Sequence, residues 1–188
     1  MQLNKFFIIF LALIFVGLAG YYVARAGYYP VATVNSEIIT ARELNYEFLV
    51  AYQYYGVLLR DSKEVEVESK GFRKEIRRAA LQDLIEKALI DQELKKRVGG
   101  ELADLVEKKV KFAQSDPKIL GEAARLFYGL NLSDFRNLVL KPQAERELLE
   151  SHLFLEKTTL DKWLSNSLSR AGVRILTPEF TWNKGRVE

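Results

Sequence analysis

Residues 31–43 of the chain read VATVNSEIITARE, and this stretch predicts how the domain after it begins. The segment Val31–Asn35 is built from strand-forming residues and ends on an asparagine, which tolerates the left-handed backbone of a tight turn. Ile38–Ile39 continues as extended chain. Thr40 then stands three residues before Glu43, which is the spacing of a capping box at the start of a helix. The stretch therefore predicts a strand, a turn, a second extended segment and a helix, in that order.

Apolar residues recur at helical spacing through most of the chain that follows, and helix-stopping residues divide the pattern. Gly99-Gly100 ends a long pattern whose last turn is basic, and Asp116 followed by Pro117 begins a later one. Pro142 falls inside another pattern and predicts a kink or a break near Lys141. The predicted helices cover about residues 40–58, 72–98, 102–113, 117–128, 131–156 and 158–171.

The C-terminal part of the chain contains one further extended segment, Val173–Leu176, which follows Gly172. An isolated strand is not stable, so this segment needs a partner. Val31–Asn35 is the comparable strand elsewhere in the sequence, and we expect the two to pair. The predicted fold class is therefore all-α, mostly helical, with a small two- or three-stranded sheet formed by the chain ends and an N-terminal transmembrane helix.

No residue between Phe6 and Ala24 is charged, and most of them are Phe, Ile, Leu, Val or Ala. At about 1.5 Å per residue, a helix of this length nearly spans the ~30 Å hydrocarbon core of a bilayer. We therefore expect residues 1–26 to be a transmembrane anchor and residues 27–188 to form one helical domain. Lys5 at the start favours a single-pass cell-membrane protein whose domain lies on the extracytoplasmic side.

Two alternatives to an anchor remain open. The triplet Ala24-Arg25-Ala26 has the small-x-small form of a signal-peptidase site, and cleavage there would leave a secreted domain. Against this alternative, the apolar run is longer than the core of an ordinary signal peptide, which has about 7–15 residues. The other alternative is a helix buried in the core of a cytosolic protein.

The composition excludes several classes of site. The net charge of +3 falls to +1 when Lys5 and Arg25 are set aside, because 26 basic and 25 acidic residues remain. The domain thus lacks the basic surface of a nucleic-acid-binding protein. The absence of cysteine excludes disulfides and zinc–thiolate sites, and the one histidine, His152, falls in a helical pattern as a half-buried residue. We therefore predict no metal, no cofactor, no catalytic residue and no enzymatic activity.

Tyrosines are concentrated in the first helix after the membrane segment. Those within residues 46–55 point in several directions, which is typical of a helix that lies between two layers or exposes apolar surface. Tyr52 and Tyr55 are expected to pack in the core. Tyr46 and Tyr54 are expected to be exposed. The candidate binding residues are Tyr46, Tyr54, Tyr55, Phe127 and Tyr128.

Two segments of the chain resemble the SurA-type chaperone N-terminal domain. That domain typically opens with Val-Ala-x-Val-Asn-Gly-x-x-Ile-Thr before a helix, and residues 31–40 follow this pattern with Ser36 in place of the glycine. Residues 81–96, which read LQDLIEKALIDQELKK, are similar to the long helix of the family. The resemblance covers about residues 30–160.

The resemblance implies a chaperone that binds unfolded or nascent exported polypeptide non-covalently outside the cytoplasm. Gly99-Gly100-Glu101-Leu102 is similar to the start of a parvulin-type prolyl isomerase domain, but an amphipathic helix follows, so we expect no isomerase domain. The expected partners are unfolded chains and, through the N-terminal helix, the membrane. The alternative function is that of an adaptor or scaffold, which would use the same helical domain to bind one specific folded envelope partner.

Overall fold

Helices make up most of the protein in the computed structural model, which describes residues 3–60, 67–114 and 116–188. The helices are α1 (Leu3–Ala26), α2 (Ala41–Leu58), α3 (Lys70–Val98), α4 (Leu102–Ala113), α5 (Pro117–Tyr128), α6 (Leu132–Phe135), α7 (Lys141–Leu155) and α8 (Leu160–Arg170). The strands are β1 (Pro30–Val34), β2 (Glu37–Thr40), β3 (Val173–Ile175), β4 (Trp182–Asn183) and β5 (Arg186–Val187). The predicted class, mostly helical with a small sheet near the chain ends, is confirmed.

The strand–turn–strand–helix unit forms as the sequence predicts. Asn35 adopts the left-handed backbone at φ 56° between β1 and β2, which pair antiparallel. The Thr40 hydroxyl accepts a hydrogen bond from the Glu43 amide at 3.3 Å, and the Glu43 carboxylate accepts one from the Thr40 amide at 2.7 Å. These bonds form the predicted capping box and satisfy amides that the start of a helix otherwise leaves without partners.

Replacing Thr40 with alanine is expected to lower the free energy of unfolding by about 1 kcal/mol, because the capping bond is lost. Chemical unfolding of the full chain in detergent, followed by circular dichroism, measures the change. Ser165→Ala, at an exposed position inside α8, is the control and should change the stability by less than about 0.5 kcal/mol. Equal effects of the two substitutions would show that the capping box contributes nothing.

The C-terminal segment joins this unit, as predicted. β3 pairs antiparallel with β1, so the sheet has the order β2–β1–β3. The Leu176 amide donates to the Val31 carbonyl at 2.8 Å. The Asn35 amide donates to the Gly172 carbonyl at 3.0 Å. The two ends of the domain are therefore joined through the central strand β1.

A second hairpin, β4–β5, follows β3, and no pattern in the sequence predicts it. Its turn places Lys184 at φ 45° and Gly185 at φ 89°, and a two-residue hairpin turn needs two such left-handed residues. Phe180 and Val187 are 3% and 1% exposed. The Val187 amide also donates to the Gln82 side chain of α3 at 3.0 Å. The C-terminal hairpin therefore packs on α3 and covers this part of the core.

The long helix α3 is shared by two core regions. Its 29 residues extend about 44 Å, and it ends at the predicted place, with a basic last turn before Gly99 at φ 58°. The first half packs against the sheet, α2 and the C-terminal hairpin, where Leu81 and Ile85 are fully buried. The second half packs against α4, α7 and α8, where Leu94 is fully buried. These are called the first and the second core region below.

The helical backbone continues through Pro142, so of the predicted kink or break near Lys141 the break does not occur, and the irregularity at this place is a π turn. Residues 136–140 form a π turn between α6 and α7, in which the Lys141 amide donates to the Arg136 carbonyl five residues earlier. Pro142 has no amide hydrogen, and its ring clashes with the carbonyl of an α-helical turn before it. The wider π turn accommodates the proline without ending the helix.

The N-terminal helix α1 is long and apolar enough, over Ile9–Ala26, to cross a membrane. None of this window is buried against the rest of the protein. A signal sequence has a similar length and composition, so α1 is compatible with either a membrane anchor or a signal sequence. The first two residues of the predicted anchor lie outside the described residues.

Candidate functional site

A cleft of about 470 Å³ opens between α2, α3 and the π turn that leads into α7, with the end of α5 beside it. Its lining combines aromatic, aliphatic and charged side chains. The lining residues are Glu47, Val50, Ala51, Tyr54 and Tyr55 of α2, Asp83, Glu86, Lys87 and Ile90 of α3, Tyr128 of α5, Leu138 and Val139 of the π turn, and Pro142, Gln143 and Arg146 of α7. We name it the tyrosine cleft.

Three tyrosine rings form the aromatic part of the tyrosine cleft. Tyr54 stacks on Tyr128 with ring centroids 5.1 Å apart and an interplanar angle of 15°. Tyr55 meets the Tyr54 ring edge-on at 5.6 Å, and Phe135 of α6 packs on the Tyr128 ring at 5.2 Å. Burial raises the pKa of Tyr128, and the neighbouring Tyr54 adds to the shift, so the Tyr128 hydroxyl stays protonated at neutral pH. The three rings therefore form a continuous aromatic surface.

The exposure of two of these rings differs from the expectation drawn from the sequence. Tyr55, expected in the core, is 42% exposed, whereas Tyr54, expected to be exposed, is half-buried. The cause is α5, which packs along α2 and covers the Tyr54 ring with Tyr128. Consecutive residues of a helix point about 100° apart, so the same contact leaves Tyr55 accessible.

Charged side chains form a second part of the lining. The Lys87 ammonium lies 2.8 Å from the Glu47 carboxylate and 2.7 Å from the Asp83 carboxylate. Burial raises the pKa of Glu47, and the nearby Asp83 carboxylate adds to this, so the pKa stays raised despite the opposing charge and hydrogen bond of Lys87. Burial lowers the pKa of Lys87, but the charges of Asp83 and Glu47 together outweigh burial and leave this pKa raised. The Lys87 ammonium is thus paired with two carboxylates at a position that is partly shielded from water.

The lining suits non-covalent binding. The aromatic faces and the side chains of Leu138 and Val139 offer apolar contact. Gln143 donates to Glu147 at 3.2 Å and Arg146 lies 3.9 Å from Glu86, and each side chain has more donors than these contacts use, which suits polar groups such as peptide carbonyls. Across residues 3–60, 67–114 and 116–188, no group of histidine, aspartate and glutamate side chains could hold a metal ion. The cleft therefore offers a binding surface built from aromatic rings and donor groups.

Two of the predicted binding residues lie outside the lining of the tyrosine cleft. Tyr46 is 44% exposed in the first half of α2, where the Arg42 guanidinium lies 5.8 Å from its ring centroid. Phe127 is 36% exposed on α5, next to Tyr128 in the chain but not part of the lining. The other three candidates, Tyr54, Tyr55 and Tyr128, lie together in the lining of the tyrosine cleft.

The sequence patterns do not identify Glu47, Lys87 or Pro142 as site residues. Asp83 and Lys87 are four residues apart on one helix, and this spacing is a recognisable signal of an ion pair. The contact between Lys87 and Glu47 crosses from α3 to α2, and nothing in the local sequence indicates it.

His152 is half-buried in α7, as predicted, and lies outside the lining of the tyrosine cleft.

A comparison with known protein families identifies the N-terminal part of the chain. The family model described as a SurA-like N-terminal domain matches residues 3–114, which run from α1 through α4. No curated protein and no solved structure gives a significant match. The matched residues include the α2 and α3 sides of the tyrosine cleft, whereas Tyr128, the π turn and α7 lie beyond them.

Proposed function

The chain belongs to the SurA-like N-terminal domain family, and we propose on this basis that it is a membrane-anchored extracytoplasmic chaperone that holds unfolded polypeptide in the tyrosine cleft. The family domain is of a chaperone type and is non-catalytic, which supports holding rather than catalysis. The observation that carries the proposal is the cleft itself, because it presents accessible aromatic surface beside polar groups. The proposed partners are unfolded or nascent exported chains.

Tyr55 is suited to the first contact with an extended chain. Its ring is accessible, and a tyrosine offers a large contact area while only two side-chain rotations are lost on binding. The stacked pair of Tyr54 and Tyr128 is already ordered, so binding costs little further side-chain entropy there. The side chains of Gln143 and Arg146 can donate hydrogen bonds to main-chain carbonyl groups, which a bound polypeptide of any sequence provides. We expect weak affinity at a single site, because the contact area is small.

We propose that α1 is retained as the anchor, with residues 1–26 in the membrane and residues 27–188 as the extracytoplasmic domain. α1 is helical through residues 24–26, the segment that resembles a signal-peptidase site, whereas proteolysis favours exposed loops. Lys5 at the start of α1 favours a cytoplasmic N terminus. These features support a single-pass cell-membrane protein over a secreted one.

The full chain in lipid nanodiscs is expected to slow the aggregation of an unrelated denatured protein without ATP. Protection should saturate near equal molar amounts, since a holding chaperone covers apolar surface by mass action. Tyr55→Ser should weaken the protection several-fold at nearly unchanged stability, because this ring is accessible. Phe112→Ser is the matched control, since Phe112 is 90% exposed outside the tyrosine cleft. Light scattering of the client measures the protection.

Two results of this experiment separate the possible functions. A folded, nanodisc-bound chain that fails to protect several different clients would contradict holding and favour an adaptor for one folded envelope partner. Equal effects of Tyr55→Ser and Phe112→Ser would contradict the assignment of holding to the tyrosine cleft. The chain should not accelerate prolyl isomerisation in a short peptide, because the family domain is non-catalytic.

A further inference from the structure

The end of α1 is closed by a helix cap rather than by a long linker. Gly27 adopts φ 74°, and its amide donates to the Ala24 carbonyl at 3.3 Å. The Tyr28 amide donates to the Val23 carbonyl at 3.0 Å. This pair of bonds is the Schellman motif, which satisfies the last carbonyls of a helix. Only residues 27–29 separate α1 from β1.

The residues of this cap are also bonded to the start of α2. The Arg42 amide donates to the Gly27 carbonyl at 2.8 Å, and the Ala41 amide donates to the Tyr29 carbonyl at 3.0 Å. Amides in the first turn of a helix have no acceptor within that helix, so residues 27–29 supply the acceptors. A Cβ atom at Gly27 would lie 3.2 Å from the Arg42 nitrogen, so the two segments are in close contact. Backbone contacts therefore join α1 to α2, and we name this contact the joint.

Arg42 places an ordered cation at the joint. Its guanidinium lies 5.2 Å from the Tyr28 ring centroid and 5.8 Å from the Tyr46 ring centroid, and it donates to the Tyr28 hydroxyl. A cation in the first turn of α2 opposes the helix dipole, so this position does not stabilise the helix. The adjacent Glu43 carboxylate is engaged by the Thr40 amide and hydroxyl. None of the ion pairs within the described residues includes Arg42.

We propose that the joint holds the Arg42 end of the domain against the phosphate layer of the membrane that α1 crosses, where Arg42 binds lipid phosphate. The inference rests on the anchoring proposed above. The planar guanidinium of arginine suits phosphate oxygens, and tyrosine favours the membrane–water interface. Tyr28, Tyr29 and Tyr46 are 48%, 47% and 44% exposed, so their rings are accessible to lipid headgroups.

A rigid joint also limits the distance between the tyrosine cleft and the membrane. Arg42 and Tyr55 lie on one helix, and their separation corresponds to about 20 Å along its axis at 1.5 Å per residue. A flexible tether would instead let the domain move over a range that grows with the length of the linker. The cleft would therefore hold its clients close to the lipid surface.

The absence of cysteine allows this contact to be measured with single introduced labels. Tyr46→Cys and Phe112→Cys, each carrying a fluorophore, are reconstituted as full chains in vesicles of equal parts phosphatidylcholine and phosphatidylglycerol. Quenching by a headgroup-attached nitroxide should be several-fold stronger at position 46 than at position 112, which belongs to α4 beside the second core region. Asn45→Cys leaves the Arg42 contacts intact and should behave like Tyr46→Cys.

Two further variants test the joint and the cation separately. A flexible insertion of about ten glycine and serine residues between Ala26 and Gly27 should reduce the quenching at position 46 to the level at position 112. Arg42→Gln should weaken the quenching at position 46 measurably but less than the insertion does, because the backbone bonds of the joint remain. Arg73→Gln is the matched control, because Arg73 also lies over a tyrosine ring, 5.1 Å from the Tyr52 centroid, but not at the joint.

The outcomes distinguish the inference from the anchoring on which it rests. Vesicle flotation after an alkaline wash is measured first, and chains that do not float would overturn both. Chains that float but show equal quenching at positions 46 and 112 would overturn the inference alone. Quenching that survives the insertion would overturn the rigid joint, and an Arg42→Gln variant that behaves like Arg73→Gln would overturn the phosphate contact.

Discussion

A chain that ends at Ala171 is expected to lose its cooperative fold. The deletion removes β3, the hairpin β4–β5 and the buried side chains of Phe180 and Val187. Loss of one buried phenylalanine side chain costs about 3–5 kcal/mol, and a whole domain is stable by only about 5–15 kcal/mol. The deletion also opens one edge of β1 and uncovers the first core region beside α3. The combined loss is therefore comparable to the total stability.

Thermal unfolding of the full and the truncated chain in the same detergent, followed by circular dichroism, measures this effect. Val187→Asp should reproduce most of the loss, because it places an unpaired carboxylate at a position that is 1% exposed. Leu176→Asp is the matched control, since Leu176 is 52% exposed in the same segment. An unchanged cooperative transition in the truncated chain would show that the C-terminal segment is an appendage.

The parts of the fold that depend on neighbouring residues could be predicted from the sequence. The caps at Thr40 and Asp116 and the end of α3 at Gly99 each depend on residues within about one helical turn. The pairing of β3 with β1 followed from the need of a lone strand for a partner. The hairpin β4–β5 could not be predicted, because strands of two residues are too short to show alternation and its turn, Lys184-Gly185, lacks the Asn-Gly or Asp-Gly pair that marks a two-residue hairpin turn.

The candidate site was less predictable, because it is assembled across helices. The sequence shows that tyrosines crowd α2, but it does not show that α5 covers Tyr54 and leaves Tyr55 accessible. The contact of Glu47 with Lys87 likewise depends on how α2 packs against α3. Pro142 predicts a kink or a break in the helix, but local rules do not specify the π turn that lines the cleft. Tertiary packing decides all of these positions, and local propensity does not encode it.

Replacing Lys87 with methionine is expected to destabilise the domain substantially at neutral pH and much less at acidic pH. The substitution leaves the Glu47 carboxylate, whose side chain is 16% exposed, without the ammonium that lies 2.8 Å away. Removing one partner of a fully buried ion pair costs about 3–5 kcal/mol, and the remaining exposure of this pair reduces the expected loss to about 2–3 kcal/mol near pH 7.

The direction of the pH dependence follows from the pKa of Glu47. Burial raises this pKa above the ordinary value of 4.5, and loss of the Lys87 charge should raise it further. A carboxyl group with a raised folded-state pKa is destabilising while ionised, and this cost disappears as the pH falls through the folded-state pKa toward the unfolded value. The pKa of Lys87 is itself raised above 10.5. In the unsubstituted protein Lys87 therefore stays charged at acidic and neutral pH, and its favourable charge is lost only at alkaline pH.

Urea unfolding at several pH values between about 4 and 8 measures the loss for Lys87→Met. Adding Glu47→Gln should recover much of the loss at neutral pH, because the buried carboxylate is then absent. Lys109→Met is the matched control: Lys109 of α4 pairs with Glu147 of α7 at 3.0 Å, also across two helices, but the side chain of Glu147 is 49% exposed. Its loss should therefore stay below about 0.5 kcal/mol at every pH. An equal loss for Lys87→Met at both ends of the pH range would show that the packing of its methylene groups, and not its charge, stabilises the tyrosine cleft.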